Sequence, residues 1–354
     1  MPVGRLLNSG LKNVLKLVPV ISMAALLSLP ANNAAAQAAK ELFGRTSLPS
    51  LGSAQVHGFY SKGCVAGAVA MPTDGPTWQA MRLERNRRWG HPDLIALVQK
   101  LSREAVADGW PGLLVGDISQ PRGGPMLSGH ASHQVGLDAD IWLTKMPDRR
   151  LTQKERRDKS ALSVLKKGTL NVNPRIWTNA HAKLIARAAS YSQVERLFVH
   201  PGIKKAMCNA YGSNPVNASW LGKVRPYYGH HYHFHIRMKC PSGSPNCRAQ
   251  AAVPSGSGCG APLAWWFTSE PWTPKKPKPG AKPVKKKVVK LKDLPGACSR
   301  VLKAQQPANE QLVTLDGNYD QTAALASALP TTSPGVKATS RAYSWPVPAN
   351  RPRH

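Results

Sequence analysis

The chain has 354 residues, 42% of them hydrophobic and 19% charged. With 48 Lys and Arg against 18 Asp and Glu, its formal net charge is +30. The length allows one or two domains with a sizeable core, and the basic balance suggests a polyanionic partner or surface while leaving the reaction open.

At the N-terminus, Arg5, Lys12 and Lys16 precede the apolar stretch Leu17 to Leu29. It is too short and too Pro-interrupted for a membrane span. Small residues follow in Ala34-Ala35-Ala36-Gln37, so residues 1–36 are expected to be a cleaved secretory signal peptide. No later segment is apolar enough to be a transmembrane helix. The six cysteines, Cys64, Cys208, Cys240, Cys247, Cys259 and Cys298, suit an oxidising compartment. None forms a C-x-x-C pair, which argues against a zinc ribbon or a thioredoxin-like site. Their connectivity is not fixed by the sequence.

Residues 43–273 read as one globular region. Pro92-Asp93 and the spacing of Leu94, Leu97, Val98, Leu101 and Ala105 predict a helix ending at Gly109. Gly112 to Ile118 is a candidate buried strand, Leu137 to Leu143 another, and Arg122-Gly123-Gly124 a loop. Thr178 to Ser190 reads as a helix, and Val194 to Val199 and His231 to Met238 as strands. Helices and strands lack the regular alternation of a doubly wound sheet. The expected class is α+β: a single compact domain whose small, mainly antiparallel sheet carries the site, flanked by helices. Residues 274–303 carry a Lys/Pro-rich run expected to be an extended linker tied back through Cys298. Residues 304–354, rich in Ala, Thr, Ser and Pro, are expected to be a disordered tail.

The chemistry concentrates in two places. Between Ser128 and Trp142 the chain reads Ser-Gly-His130-Ala-Ser-His133-Gln-Val-Gly136-Leu-Asp138-Ala-Asp140-Ile-Trp. On a strand, Asp138 and Asp140 share one face and Ala139 and Ile141 the other. Far downstream, Gly229-His230-His231-Tyr-His233-Phe-His235-Ile236 puts His233 and His235 on a common face. Two imidazoles and a carboxylate form a ligand set used for catalytic zinc. His133, Asp140 and His235 are taken as ligands and His233 as general base or transition-state stabiliser, although spacing alone lets His233 and His235 exchange roles. Asp138 either hydrogen-bonds a loop or orients a ligand. His91, His181 and His200 are expected to be structural. There is no H-E-x-x-H helix. Ser163-Val-Leu-Lys166 matches S-x-x-K, but neither S-D-N nor K-T-G follows.

These motifs, with Val224-Arg-Pro226 and His233-x-His235-x-Arg237, resemble the penicillin-insensitive murein endopeptidase family. That family is grouped with lysostaphin, D-Ala-D-Ala metallopeptidases and the hedgehog domain. The resemblance covers about residues 43–302. It implies a periplasmic zinc enzyme that cuts D-alanyl–meso-diaminopimelyl cross-links in peptidoglycan. By motif position it implies His133, Asp140 and His235 as zinc ligands, His233 and His230 as catalytic, and His130 near the metal. It also implies the disulfides Cys64–Cys298, Cys208–Cys259 and Cys240–Cys247. Some relatives hold a second zinc at a dimer interface through an acid and a histidine. Here Lys166-Lys-Gly-Thr-Leu170 has neither, which leaves His130 as the remaining metal ligand of that second site, so one zinc per chain is expected and a homodimer is left open. Export and cysteine usage argue against a nucleic-acid partner. The alternatives are a related carboxypeptidase or amidase, and a non-catalytic basic wall-binding protein.

Overall fold

The computed structural model describes residues 37–274 and 288–316. The expected signal peptide, residues 275–287 of the Lys/Pro run and residues 317–354 lie outside the described residues. Eleven strands form within the rest: β1 (Gln55–Phe59), β2 (Lys62–Ala66), β3 (Val69–Ala70), β4 (Asp74–Gly75), β5 (Trp78–Ala80), β6 (Trp89–Gly90), β7 (Leu113–Val115), β8 (Asp138–Trp142), β9 (Val194–Val199), β10 (Val224–Pro226) and β11 (His233–Met238). Seven of them make one sheet in the order β10-β9-β11-β8-β7-β5-β4. The pairs β10–β9 and β5–β7 are parallel, and the other four are antiparallel. The sheet is therefore mainly antiparallel, as the α+β reading expects. Two small antiparallel pairs, β1–β2 and β3–β6, stand beside it.

Period-two alternation decides what each face of this sheet does. Ala139, Ile141, Phe234 and Ile236 are fully buried on one face. They join a core built from Leu113, Val115, Leu197 and Val199 together with two helices, Pro92–Ala107 and Asn179–Ser190. The first helix contributes Leu94, Ile95, Val98 and Leu101, at the spacing read from the sequence. On the opposite face stand Asp138, Asp140, His233 and His235. The same pattern that builds the core thus gathers the polar residues on the other side.

The three histidines expected to be structural all serve helix starts. His91 Nδ1 accepts from Asp93 N, and His200 Nδ1 accepts from Gly202 N at the start of Pro201–Tyr211. His181 Nδ1 accepts from Thr178 N at 3.1 Å while its Nε2–H donates to Leu143 O at 3.1 Å. Each bond needs a neutral ring with a bare Nδ1.

All three disulfides that the resemblance implies are formed, Cys64–Cys298, Cys208–Cys259 and Cys240–Cys247. The first fixes the late chain in place. Residues 288–303, expected to be extended linker, instead include a turn at Leu291–Asp293 and a helix at Ala297–Lys303. Leu294, Cys298 and Val301 pack on Ala39, Phe43 and Cys64. Arg122 caps that helix by donating to the carbonyls of Val301 (2.6 Å) and Leu302 (2.8 Å). The tail expected from Ala304 is likewise placed as far as Asp316. Val313 is buried beside Trp89, Leu315 N donates to Ala70 O, and Glu310 pairs with Arg88. The lysine-rich composition obscured an apolar spacing of three and four residues at Leu291, Leu294, Cys298 and Val301, which is what packs. Among the described residues no helix is long and apolar enough to cross a membrane.

Burial pulls the pKa of both His181 and His200 down to about 4. An unfolded chain takes up these protons first, so their stabilising effect is complete above about pH 6.5 and is lost as pH falls toward 4. We expect the melting temperature to drop across that window. His181→Gln should flatten the drop by the equivalent of about 3 kcal/mol. An unchanged slope in that variant would remove His181 from this account.

Candidate metal centre

His133 lies in the loop before β8, and its backbone is left-handed, with φ of 65°. For a non-glycine residue that conformation costs about 1–2 kcal/mol, so something must hold it. The holding contact is its own N–H, which donates to Asp138 Oδ2 at 2.9 Å. Gly136 makes the intervening turn at φ of 68°. A side chain there would meet His91 N at 3.0 Å and Gly90 at 3.3 Å, and the turn is anchored by His91 N donating to Gly136 O.

The antiparallel register of β8 and β11 sets His235 directly across from Asp140, and Arg237 across from Asp138. Three potential ligand atoms therefore converge. His133 Nε2 is 3.1 Å from His235 Nδ1 and 3.4 Å from Asp140 Oδ1, and His235 Nδ1 is 3.2 Å from Asp140 Oδ1. All three side chains are buried.

The outer contacts fix which nitrogens are bare. His133 Nδ1 lies 2.6 Å from Ile118 O, a carbonyl that only accepts, so Nδ1 carries the proton and Nε2 the lone pair. His235 Nε2 lies 3.0 Å from Asp138 Oδ1 without hydrogen-bond geometry; the carboxylate charge there favours a proton on Nε2 and a bare Nδ1. Asp140 Oδ1 is buried and accepts no hydrogen bond. Two lone pairs and an unpaired carboxylate oxygen facing one point repel one another unless a cation sits between them. With ligand distances of 2.0–2.1 Å, the edge of a tetrahedral zinc site is about 3.3 Å, which the observed triangle matches.

Asp138 performs both roles that the sequence left as alternatives: it bonds the His133 loop and it holds His235. It is fully buried and paired to Arg237, whose Nε donates at 2.8 Å. Burial would raise its pKa, but Arg237 and His235 outweigh this and keep the carboxyl ionised. Arg237 in turn lies over the rings of Tyr60 (4.2 Å) and Phe198 (5.0 Å).

His130 stands next to this set, its ring centroid 4.3 Å from that of His133. Together His130, His133 and Asp140 form a group able to hold a metal ion, with ligand atoms within 4.8 Å of one another. His130 is also engaged outward, however: Nδ1 is 3.5 Å from Asp140 Oδ2, while Nε2 is 2.9 Å from Asp117 Oδ2. Asp117, which the sequence reading missed, also accepts from Arg87 (2.9 Å) and Arg85 (3.1 Å). Burial pushes its pKa up, yet His130, Arg87 and Arg85 prevail and hold it at about 2. Its main-chain oxygen takes Asp140 N–H at 3.0 Å. A lone acid closing the apolar run Leu113 to Val115 was the available signal.

His233 Nε2 is 3.7 Å from Asp140 Oδ1, and its Nδ1 is buried without a partner. Burial lowers its pKa. The ring of His230 lies 4.9 Å from that of His233. Its Nδ1–H donates to Tyr228 O at 2.6 Å, so Nε2 is bare. Burial and the nearby His233 and His235 take its pKa down to about 3. His231 points elsewhere, packing on His200 and Tyr232. Ser163, of the S-x-x-K match, uses its hydroxyl to accept from Leu165 N.

A family profile described as penicillin-insensitive murein endopeptidase matches residues 56–303. Curated proteins of that name are similar over most of their length. The one from Haemophilus influenzae is 43% identical over 251 residues, which is 71% of this chain and 83% of that protein. One from Klebsiella pneumoniae is 42% identical, over 72% of this chain and 88% of that protein. Another from Pectobacterium atrosepticum is 42% identical, over 62% and 76%. The matched region contains every residue of the metal centre, so this chain belongs to the penicillin-insensitive murein endopeptidase family.

Proposed function

We propose that the protein is an exported, zinc-dependent murein endopeptidase that hydrolyses D-alanyl–meso-diaminopimelyl cross-links of peptidoglycan in the periplasm. The observation that carries this is the triangle of His133 Nε2, His235 Nδ1 and Asp140 Oδ1 around a buried point that no donor satisfies. These three would hold one zinc per chain. Zinc in such a set supplies Lewis acidity, polarising the scissile carbonyl and making water acidic enough to attack near neutral pH.

The chain's own residues supply the rest. His233, kept neutral at pH 7 by burial, takes the proton that the attacking water loses. It returns that proton to the departing amine as the C–N bond breaks. His230 offers its bare Nε2 as an acceptor that orients water or a substrate N–H. Asp138 holds His133 and His235 at fixed angles, so little reorganisation is needed during the reaction. No serine attacks in this scheme, and a β-lactam therefore has nothing to acylate.

Purified protein should split cross-linked muropeptide dimers, lose that activity to a chelator, and regain it with zinc. His133→Ala should abolish cleavage; full activity in that variant would refute the ligand set. His233→Ala should retain zinc while kcat falls by about 10²–10⁴, and loss of the metal instead would make His233 a ligand. Asp138→Asn should weaken zinc binding by about 10–100-fold in competition with a chromophoric chelator. Asp138→Ala should in addition lower unfolding free energy by about 3–5 kcal/mol, since it strands the Arg237 charge.

A further inference from the structure

Beside the metal centre lies a group of aromatic rings that hydrolysis itself does not use. Starting from His235, ring centroids follow one another at 6.0 Å to His230, 5.7 Å to Tyr227 and 5.8 Å to Tyr228. From Tyr228 the series continues at 5.0 Å to Trp266 and 5.1 Å to Trp265, with Trp272 5.4 Å from Tyr228. His235 is buried and His230 and Trp266 are half-buried, whereas Tyr227, Tyr228, Trp265 and Trp272 are 51%, 43%, 39% and 38% exposed. Large aromatics left this open, side by side, mark a binding surface more often than an accident of packing.

The platform is held in place. Tyr228 Oη donates to Pro271 O at 2.7 Å, and Trp272 Nε1 donates to Trp266 O at 2.8 Å. Lys205 lies over Phe267 at 4.8 Å, and the Cys208–Cys259 disulfide ties the start of the segment to the helix Pro201–Tyr211. The platform is also coupled to the chemistry, because the Tyr228 carbonyl is the acceptor that fixes the His230 tautomer.

We infer that Tyr227, Tyr228, Trp265 and Trp272 form a subsite for the amino-sugar strand of the substrate polymer. The inference rests on the reading of the metal centre as a murein peptidase, and it concerns the part of the substrate that does not react. Peptide cross-links hang from glycan strands, so a cross-link seated at the metal brings a row of pyranose rings past the neighbouring surface. The C–H faces of such rings stack on Trp and Tyr; the Tyr228 O–H and Trp272 N–H already donate to Pro271 O and Trp266 O, so these two rings offer stacking faces. A partner of this kind is uncharged along its stacking face, which fits an aromatic platform better than the basic surface elsewhere. Binding energy from this remote portion orients the cross-link at the metal.

The test uses the full, zinc-loaded protein and two probes: peptide-free amino-sugar strands for binding, and two cleavable substrates, a glycan-bearing cross-linked polymer and a sugar-free cross-linked peptide. Wild type should bind the strands measurably by calorimetry. Trp265→Ala should weaken that binding by about tenfold, the effect of one lost aromatic contact. In the same variant kcat/KM on the polymer should fall at least about tenfold further than on the sugar-free peptide, chiefly through KM. Trp265→Tyr, which keeps a ring, should restore most of both losses, and a far-UV spectrum matching wild type controls for folding. The inference is overturned if wild type does not bind the strands, if Trp265→Ala binds them as wild type does, or if both substrates lose activity equally. It is also overturned if Trp265→Ala loses binding to anionic phospholipid vesicles while strand binding stays intact, because the platform would then face a membrane. Strand binding without cleavage of either substrate would count against the peptidase reading alone.

Discussion

Asp138 carries a fully buried carboxylate at the junction of β8 and β11, and three unlike groups meet on it. The Arg237 guanidinium supplies the charge, the His133 backbone N–H fixes the preceding loop, and the His235 imidazole sits against Oδ1. A buried ion pair is poor evidence for stability, because desolvation offsets most of its attraction. Here its value is geometric. One group sets the positions of two candidate ligands that come from segments about a hundred residues apart, and the register of a single strand pair brings the third candidate.

That arrangement explains why strain is tolerated where it occurs. His133 and His230 both have left-handed backbones without being glycine. Each is held by contacts that leave few alternatives: Asp138 and the Ile118 carbonyl for His133, the Tyr228 carbonyl and His200 N for His230. The sheet supports both from behind, since its opposite face is packed core with no room to shift. The centre thus combines a rigid floor with loops locked by polar contacts, which preorganises the lone pairs toward one point.

The charged layer outside the ligands shows what spacing leaves out. Asp117 ends the β7 segment and binds His130, Arg87 and Arg85 at once. Residues from three separated stretches meet there, and no local period connects them. The aromatic platform is similar: Tyr227 and Tyr228 precede the histidine cluster, while Trp265, Trp266 and Trp272 come from a segment brought over by the Cys208–Cys259 bond. The late chain gave the opposite lesson. Lysines and prolines predicted an extended linker, and Ala, Thr, Ser and Pro a disordered tail, yet residues 288–316 pack on the domain through a few apolar side chains and one disulfide. Average composition is a weak guide when four well-spaced side chains suffice for docking.

The sequence by itself determined the α+β class, the positions of the main helices and central strands, and the candidate ligands. It could do so because alternation along a strand dictates that Asp138 with Asp140, and His233 with His235, leave the core on one side. It also determined that His91, His181 and His200 stand apart from the chemistry. Only the tertiary structure decided how His235 and His233 divide their places, since both share a face and period two cannot rank them. Register decided it: His235 falls opposite Asp140 with Asp138 behind it, while His233 falls opposite Trp142, one step outward, with its Nε2 3.7 Å from Asp140 Oδ1. Which ring nitrogen faces inward was likewise a matter of long-range partners, the Ile118 carbonyl and the Asp138 carboxylate, and contacts of that range are written in no local pattern.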